Sequence, residues 1–432
     1  MASPRSNPVA PNPVAPNPVA SGPAPAGPAS AGLSPAILTT APHRLLFFVG
    51  VVNVLAGMAW WTAWLVALRW QLFPMPQPPV PAGWGHAFVM TYQVLPPFIF
   101  GFLLTVFPRW LGLPSLSVWH YLPVGLGLLG GQLLTLIGLW GFPHVLFVGL
   151  VFTIAGWTAG LAVLAPLLWR ERGRTWHARS AFAAMTLGWF GLLMFFAWPF
   201  NPDQGLLGFA SFKVGVIGCL LPVFLTVCHR MVPFFASNAV PGYQPWRPMW
   251  LLVALWAGLM AHLALELVHA YDWLWLVDAP LFALTSLMLW RFWPRGPMPG
   301  LLRVLFLGLC WLPFAFALFA VQSLVLALTG EFVLGRAPVH ALAVGFFGSL
   351  LVAMVTRVSA GHSGRPLAMD GTAWAAFAVI QLTAVVRILA ELQNDVWAWQ
   401  AVAAGAWLLA FSPWVLRLAG IYLRPRVDGR PG

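Results

Sequence analysis

Charge is what this sequence has least of. Only 7% of its 432 residues are Asp, Glu, Lys or Arg, while 60% are hydrophobic. A soluble globular domain carries about 25% charged residues. A chain so poor in charge cannot clothe a water-facing surface, which excludes a soluble protein and points to an integral membrane protein. Cysteine is scarce too. Cys219, Cys228 and Cys310 all lie in apolar runs; they form no metal-type CxxC pair and suggest no disulfide framework. Basic residues outnumber acidic ones by 22 to 10, for a net charge of +12. That excess does not indicate nucleic-acid binding, because the arginines sit in short loops between apolar runs, where topology signals belong. Tryptophan, in contrast, is abundant at 26 residues, and Trp gathers at lipid–water interfaces.

The first forty residues differ from the rest. "PNPVAPNPVA" is a five-residue repeat in a segment rich in Pro, Ala and Ser. Such a segment cannot bury a core and reads as a disordered or polyproline-like tail, here residues 1–42. It lacks a charged region beside a short apolar core, so it is not a cleavable signal peptide. A bilayer-spanning helix needs about 20 apolar residues. Runs of that length, broken by Pro, Gly and charge, occur near 44–70, 84–108, 117–140, 143–169, 180–199, 205–230, 247–270, 273–292, 301–329, 336–358, 371–393 and 396–419. The expected fold is all-α: a polytopic membrane domain of twelve helices over 43–420, then a basic tail over 421–432.

Placement of basic residues gives the direction of each span. With twelve spans, 18 of the 22 fall on the side that carries both termini, among them Arg44, Arg109, Arg170, Arg230, Arg291, Arg357 and Arg417. The opposite loops hold Asp203, Asp272 and Glu331. The chain is therefore expected to be a multi-pass membrane protein with both termini cytoplasmic.

Ionisable groups inside the membrane are costly and tend to mark sites. Most of those here fall in the outer half of their spans. His86 opens span two, His144 span four and His340 span ten, and Lys213 lies about 12 Å below the outer end of span six. Asp278 lies in span eight, while Arg387 and Glu391 are spaced i, i+4 in span eleven. In "AHLALELVHA", His262, Glu266 and His269 are spaced i, i+4, i+7, which on an unbroken helix puts them on one face. That face reads equally well as a hydrogen-bonded seam between helices or as a metal or heme site. Arg387 and Glu391 read most simply as a local ion pair, and a lone histidine at a helix end as an interfacial residue. What favours a site is that imidazoles from several helices share one depth.

Spans two, six and ten run in the same direction, four helices apart, and each ends with an arginine: "GFLLTVFPRW", "LTVCHRMVPFF" and "LLVAMVTRVSAGHSGRPL". This suggests three four-helix arcs around an axis. "HALAVGFFGSLLVAMVTRVSAGHSGRPL", with "GFLLTVFPRWLG" and "RMVPFF", closely resembles the signature of the NnrS family of bacterial membrane proteins. The resemblance covers roughly 44–420. It implies a heme- and copper-containing protein of the bacterial inner membrane, linked to nitric oxide metabolism in denitrifying and related bacteria and to protection from nitrosative stress. Where family members often read HAHEM before GFLLT, this sequence reads "HAFVM". His86 matches the first histidine, and Phe88 and Val89 replace the second histidine and the glutamate.

A looser resemblance links the chain to the catalytic subunit of heme–copper oxidases and nitric oxide reductases, which has twelve spans in three arcs. There, histidines at the outer ends of spans two and ten hold a heme, and a basic group near spans eleven and twelve meets its propionates. By that resemblance His86 and His340 are axial ligands of one heme b and Arg387 pairs with a propionate. His262 and His269, with Glu266 as support or proton carrier, are a candidate copper site, although the adjacent histidine pair of those enzymes is here seven residues apart. Gly345 and Gly348 could leave room for a porphyrin beside span ten or serve close helix packing. The implied partners are the bilayer, nitric oxide and an electron donor that the sequence does not specify. An oxidoreductase acting on nitric oxide fits this set. A transporter of a small solute, metal or metal complex, and a non-catalytic sensor or metallation factor, fit the composition as well.

Overall fold

The computed structural model describes residues 32–172, 174–200 and 205–429. The repeat tail up to residue 31, Asp203 and Arg430 lie outside the described residues. Among the described residues there is no strand, and twelve long helical segments match the twelve expected runs. They are α1 (Pro42–Trp70), α2 (Ala82–Leu111), α3 (Val118–Gly138), α4 (Pro143–Arg170), α5 (Trp176–Phe200), α6 (Gly205–Ala239) and α7 (Met249–Leu267). After these come α8 (Trp275–Phe292), then α9 (Gly300–Thr329), α10 (Ala337–His362), α11 (Gly371–Leu392) and α12 (Val396–Tyr422). Eleven are long and apolar enough to cross a membrane. The other, α8, is helical over 18 residues, about 27 Å at the usual rise, but Asp278 and Arg291 lower its apolar content.

The local sequence explains the ends. Proline occupies the first turn of α1, α4 and α10, where its missing N–H costs nothing. Gly112 and Gly330 close α2 and α9 in the left-handed conformation, with φ of 66° and 78°, as helix C-termini favour. Asp370 and Asp395 cap α11 and α12 by accepting from Ala373 N at 2.9 Å and Ala398 N at 3.1 Å.

The helices are not equivalent. In α2, α6 and α10, 78, 72 and 72% of the most apolar stretch is buried, against 39–56% in the other eight spans. These three are the inner helices, and α1 packs along α12 to close the outer ring. Each inner helix also carries one π-helical segment in the half away from the termini: Val89–Val94, Val214–Leu220 and Ala341–Gly348. The recurrence supports three related units, each contributing its second helix to the centre.

A π segment loosens the regular backbone pairing, so its carbonyls need partners. In α2 they find them on neighbouring helices. Asn53 Nδ2 donates to Gln93 O at 2.7 Å and Trp157 Nε1 to Tyr92 O at 3.1 Å. Gln93 Nε2 in turn donates to Thr135 Oγ1 at 2.8 Å and Thr153 Oγ1 at 2.9 Å. Five polar side chains thereby tie α1, α2, α3 and α4 together at one depth. In α10, a Cβ at Gly345 would meet the Trp311 ring and one at Gly348 would meet Ile380. These glycines serve close helix packing, and no room for a porphyrin is left there.

The segments that begin and end the described residues meet on one face. Ser34 N donates to Leu423 O at 2.9 Å. Arg44 Nη1 donates to Tyr422 O at 3.3 Å and Arg424 O at 2.8 Å, satisfying carbonyls left open at the end of α12.

Candidate functional site

Two of the expected site residues, His86 and His340, lie at the ends of inner helices away from the termini. His340 lies one turn into α10, and His86 one turn into α2. Both are partly buried, within electrostatic reach of each other and of Arg387 and Arg336. The His86 ring stacks on Trp61 at 4.3 Å and 13°. Trp61 stacks on Trp64 at 5.4 Å, and Trp64 meets Trp397 edge-on at 6.3 Å. The plane of His86 is thus set by a row of aromatic rings.

His340 is oriented by hydrogen bonding. Its Nδ1 lies 2.9 Å from the carbonyl oxygen of Arg336. A carbonyl only accepts, so Nδ1 carries the proton, and in the neutral ring Nε2 keeps its lone pair. Metal-ligating histidines commonly show this arrangement. The chemistry of the donor set suits a heme: two imidazoles on two inner helices, one with its tautomer fixed, beside two guanidiniums suited to carboxylates. Arg387 is also half of the local pair expected from its spacing, with Nη1 2.5 Å from Glu391 Oε1.

A second cluster crosses α6, α7 and α8. Lys213, the only lysine in the chain, places Nζ 2.5 Å from Glu266 Oε1. Glu266 Oε2 lies 3.5 Å from His262 Nε2, and His262 Nδ1 lies 2.6 Å from Asp278 Oδ1. His262 and Asp278 are fully buried and Glu266 is 3% exposed. Both ring nitrogens of His262 thus face carboxylates, but only Nδ1 is within hydrogen-bond distance; Nε2 and Glu266 Oε2 make no hydrogen bond among the described residues. With His262 as an imidazolium the four groups alternate in sign and sum to zero, a condition under which a buried cluster of charges is tolerable.

His269 does not join them. α7 ends at Leu267, and His269 follows with φ 58°, exposed, its Nδ1 3.1 Å from Tyr271 Oη. The one-face spacing required an unbroken helix through His269, and the helix stops two residues short. Among the described residues, no group of three or more His, Cys, Asp or Glu is placed to hold a metal ion. His262, Glu266 and His269 do not fit a copper centre. The acid that actually meets His262 is Asp278, which the sequence marks only as a charge in the middle of α8.

Between the clusters lies a cavity of about 540 Å³, walled by Lys213, Glu266, Arg336, Glu391, Gln322, Gln400 and Trp397, among others. Its volume lies in the range of small-molecule sites. Sequence reasoning passes over Arg336. The available signal was its place four residues before His340, on the side of the membrane where basic residues are few.

Other singled-out residues have structural roles. Phe88 and Val89 are buried; Phe88 stacks on Phe195 at 4.5 Å, so these positions are core here. His144 is exposed at the start of α4. His229, in "LTVCHRMVPFF", places Nε2 3.1 Å from Pro248 O and Nδ1 2.9 Å from His177 Nε2, so both of its nitrogens are paired.

These features define an all-α polytopic membrane protein with three π-bulged inner helices and a charged cavity on the face away from its termini. The family model described as NnrS protein matches residues 37–426, and the chain belongs to that family. No curated protein matches the chain.

Proposed function

We propose that the protein holds a heme b between His86 and His340 and takes part in the response to nitric oxide or the relief of nitrosative stress. We place it in the bacterial inner membrane with both termini cytoplasmic. Family membership links the chain to nitric oxide stress. The observation that carries the heme reading is the hydrogen bond from His340 Nδ1 to Arg336 O at 2.9 Å, which leaves Nε2 as the coordinating nitrogen. The bound iron would supply direct affinity for nitric oxide.

The chain's own groups do the rest. Trp61 fixes the plane of His86. Arg336 and Arg387 stand beside the two imidazoles as donors for propionate carboxylates. The Lys213–Glu266–His262–Asp278 chain runs from the cavity into the helix packing, and Glu266, on the cavity wall, is the carboxylate placed to hold a proton there. A reductive chemistry of nitric oxide requires protons as well as electrons from a donor, and Glu266 is the proton-holding group that the cavity offers. The charged cavity also favours a second reading, transport of a small polar solute or metal complex.

Colour separates the two readings. Purified protein should give a heme b pyridine hemochrome. His86→Ala and His340→Ala should each abolish or strongly shift its bands, while His362→Ala, at the far end of α10, leaves them intact. A colourless protein, or unchanged heme content and bands in both histidine variants, removes the heme reading and leaves transport.

A further inference from the structure

The end of the long α10 motif, "GHSGRPL", has no part in the site described above. It lies on the opposite face, where Ser34 meets Leu423, and it meets residues from distant segments. His362 ends α10, and its ring packs on His43 of α1 with centroids 4.0 Å apart and a 40° tilt. Arg109, exposed near the end of α2, and Arg426 of the C-terminal tail both lie within electrostatic reach of the two rings. Arg426 Nη1 donates to His362 O at 3.1 Å. Arg44 adjoins His43 in sequence and lies near Arg365 and Arg426.

Several of these groups are buried without a partner. His43 is 3% exposed, and among the described residues neither ring nitrogen makes a hydrogen bond; Arg44 Nε and Arg365 Nη1 likewise find no partner there. Leaving such donors unpaired costs of order 1–3 kcal/mol each. Asp428 already grips Arg426 with both carboxylate oxygens, at 2.9 and 2.6 Å. Among the described residues placed together here, one carboxylate stands against four guanidiniums, so the cluster has an excess of positive charge, with Arg44 Nε and Arg365 Nη1 left unused.

The geometry limits what could complete it. Four guanidiniums repel a divalent cation. Two imidazoles in contact at 4.0 Å leave no gap for a porphyrin between them. An oxyanion meets both needs, because it supplies negative charge and several acceptor oxygens to forked arginine donors. We propose that His43, His362, Arg44, Arg109, Arg365 and Arg426 form a binding site for a phosphate group, carried by a phospholipid headgroup or by free phosphate. The site lies at the ends of α1, α2 and α10, where headgroup phosphates are within reach of a membrane helix.

Two measurements on the full chain test this. Protein in a phosphate-free maltoside detergent is titrated calorimetrically with sodium phosphate, and with sodium chloride at equal ionic strength. The same protein, released from nanodiscs of phosphatidylcholine and phosphatidylglycerol, is examined by native mass spectrometry for retained lipid. Saturable phosphate heat identifies free phosphate as a ligand, and a retained phospholipid identifies a headgroup. Arg109→Gln and His43→Phe should weaken either signal about tenfold or more. Arg109 is exposed and Phe resembles the imidazole in shape, so both variants should elute as monodisperse protein. If the wild type gives neither signal, or both folded variants match it, the site is refuted.

Discussion

Replacing His262 by leucine removes the cation between two buried carboxylates. Asp278, fully buried, then loses its 2.6 Å partner, while Glu266 keeps Lys213 at 2.5 Å. Breaking a buried pair by removing one partner costs about 3–5 kcal/mol, because the other charge stays in place unpaired. Asp278→Leu should cost less, about 1.5–3 kcal/mol, since His262 still has Glu266 or can give up its proton. The double variant removes both charges and leaves the Lys213–Glu266 pair neutral. Apolar replacement of a whole buried pair is often close to neutral, so the double variant should be more stable than His262→Leu alone. Unfolding in mixed micelles, followed by tryptophan fluorescence, gives the four free energies of the cycle. Ordinary hydrogen bonds between membrane helices couple by about 0.6 kcal/mol on average. A coupling of about 2 kcal/mol or more is expected for a chain of alternating charge. A value below about 1 kcal/mol would refute it and leave a neutral polar seam, the alternative that the spacing of His262 and Glu266 already allowed.

Reporter fusions should place residue 174 and the C-terminus in the cytoplasm and residues 271–272 on the other side; a periplasmic signal at 174 reverses the orientation. Gln93→Leu removes the amide that donates to Thr135 and Thr153 and should lower stability by about 1–2 kcal/mol. The same unfolding assay checks it, and an unchanged midpoint would mean that the π segment of α2 is held by its backbone partners alone.

The helices were legible because lipid leaves so few options. Backbone groups in hydrocarbon must pair within the segment, so length and apolarity nearly suffice to locate a span. Contacts between helices were not legible in that way. Spacing put His262, Glu266 and His269 together because the helix was assumed to continue, and a left-handed residue ended the pattern. The partner of His262 came instead from α8, and no single-helix period could reveal it. Likewise the π segments have no compositional mark. The weak echo among spans two, six and ten pointed to three related units and not to the π segments.

The basic residues held more than orientation. Of 22, the expected topology puts 18 on the side of the termini, leaving Arg69, Lys213, Arg336 and Arg387 opposed to the rule. A charge that defies topology needs a reason to be there. Arg69 holds Asp395 at 2.7 Å, Lys213 holds Glu266, Arg387 holds Glu391, and Arg336 lines the cavity and orients His340 through its carbonyl. Three of the four surround the proposed heme and proton-carrying groups. Lys213 and Arg387 stand out in the sequence as charges inside spans, and Arg336 is the remaining exception of the same kind near the site. In a chain so short of charge, a cation on the side where topology does not ask for one is a stronger sign of a site than a histidine at a helix end, because the lipid interface accounts for the histidine and does not account for the cation.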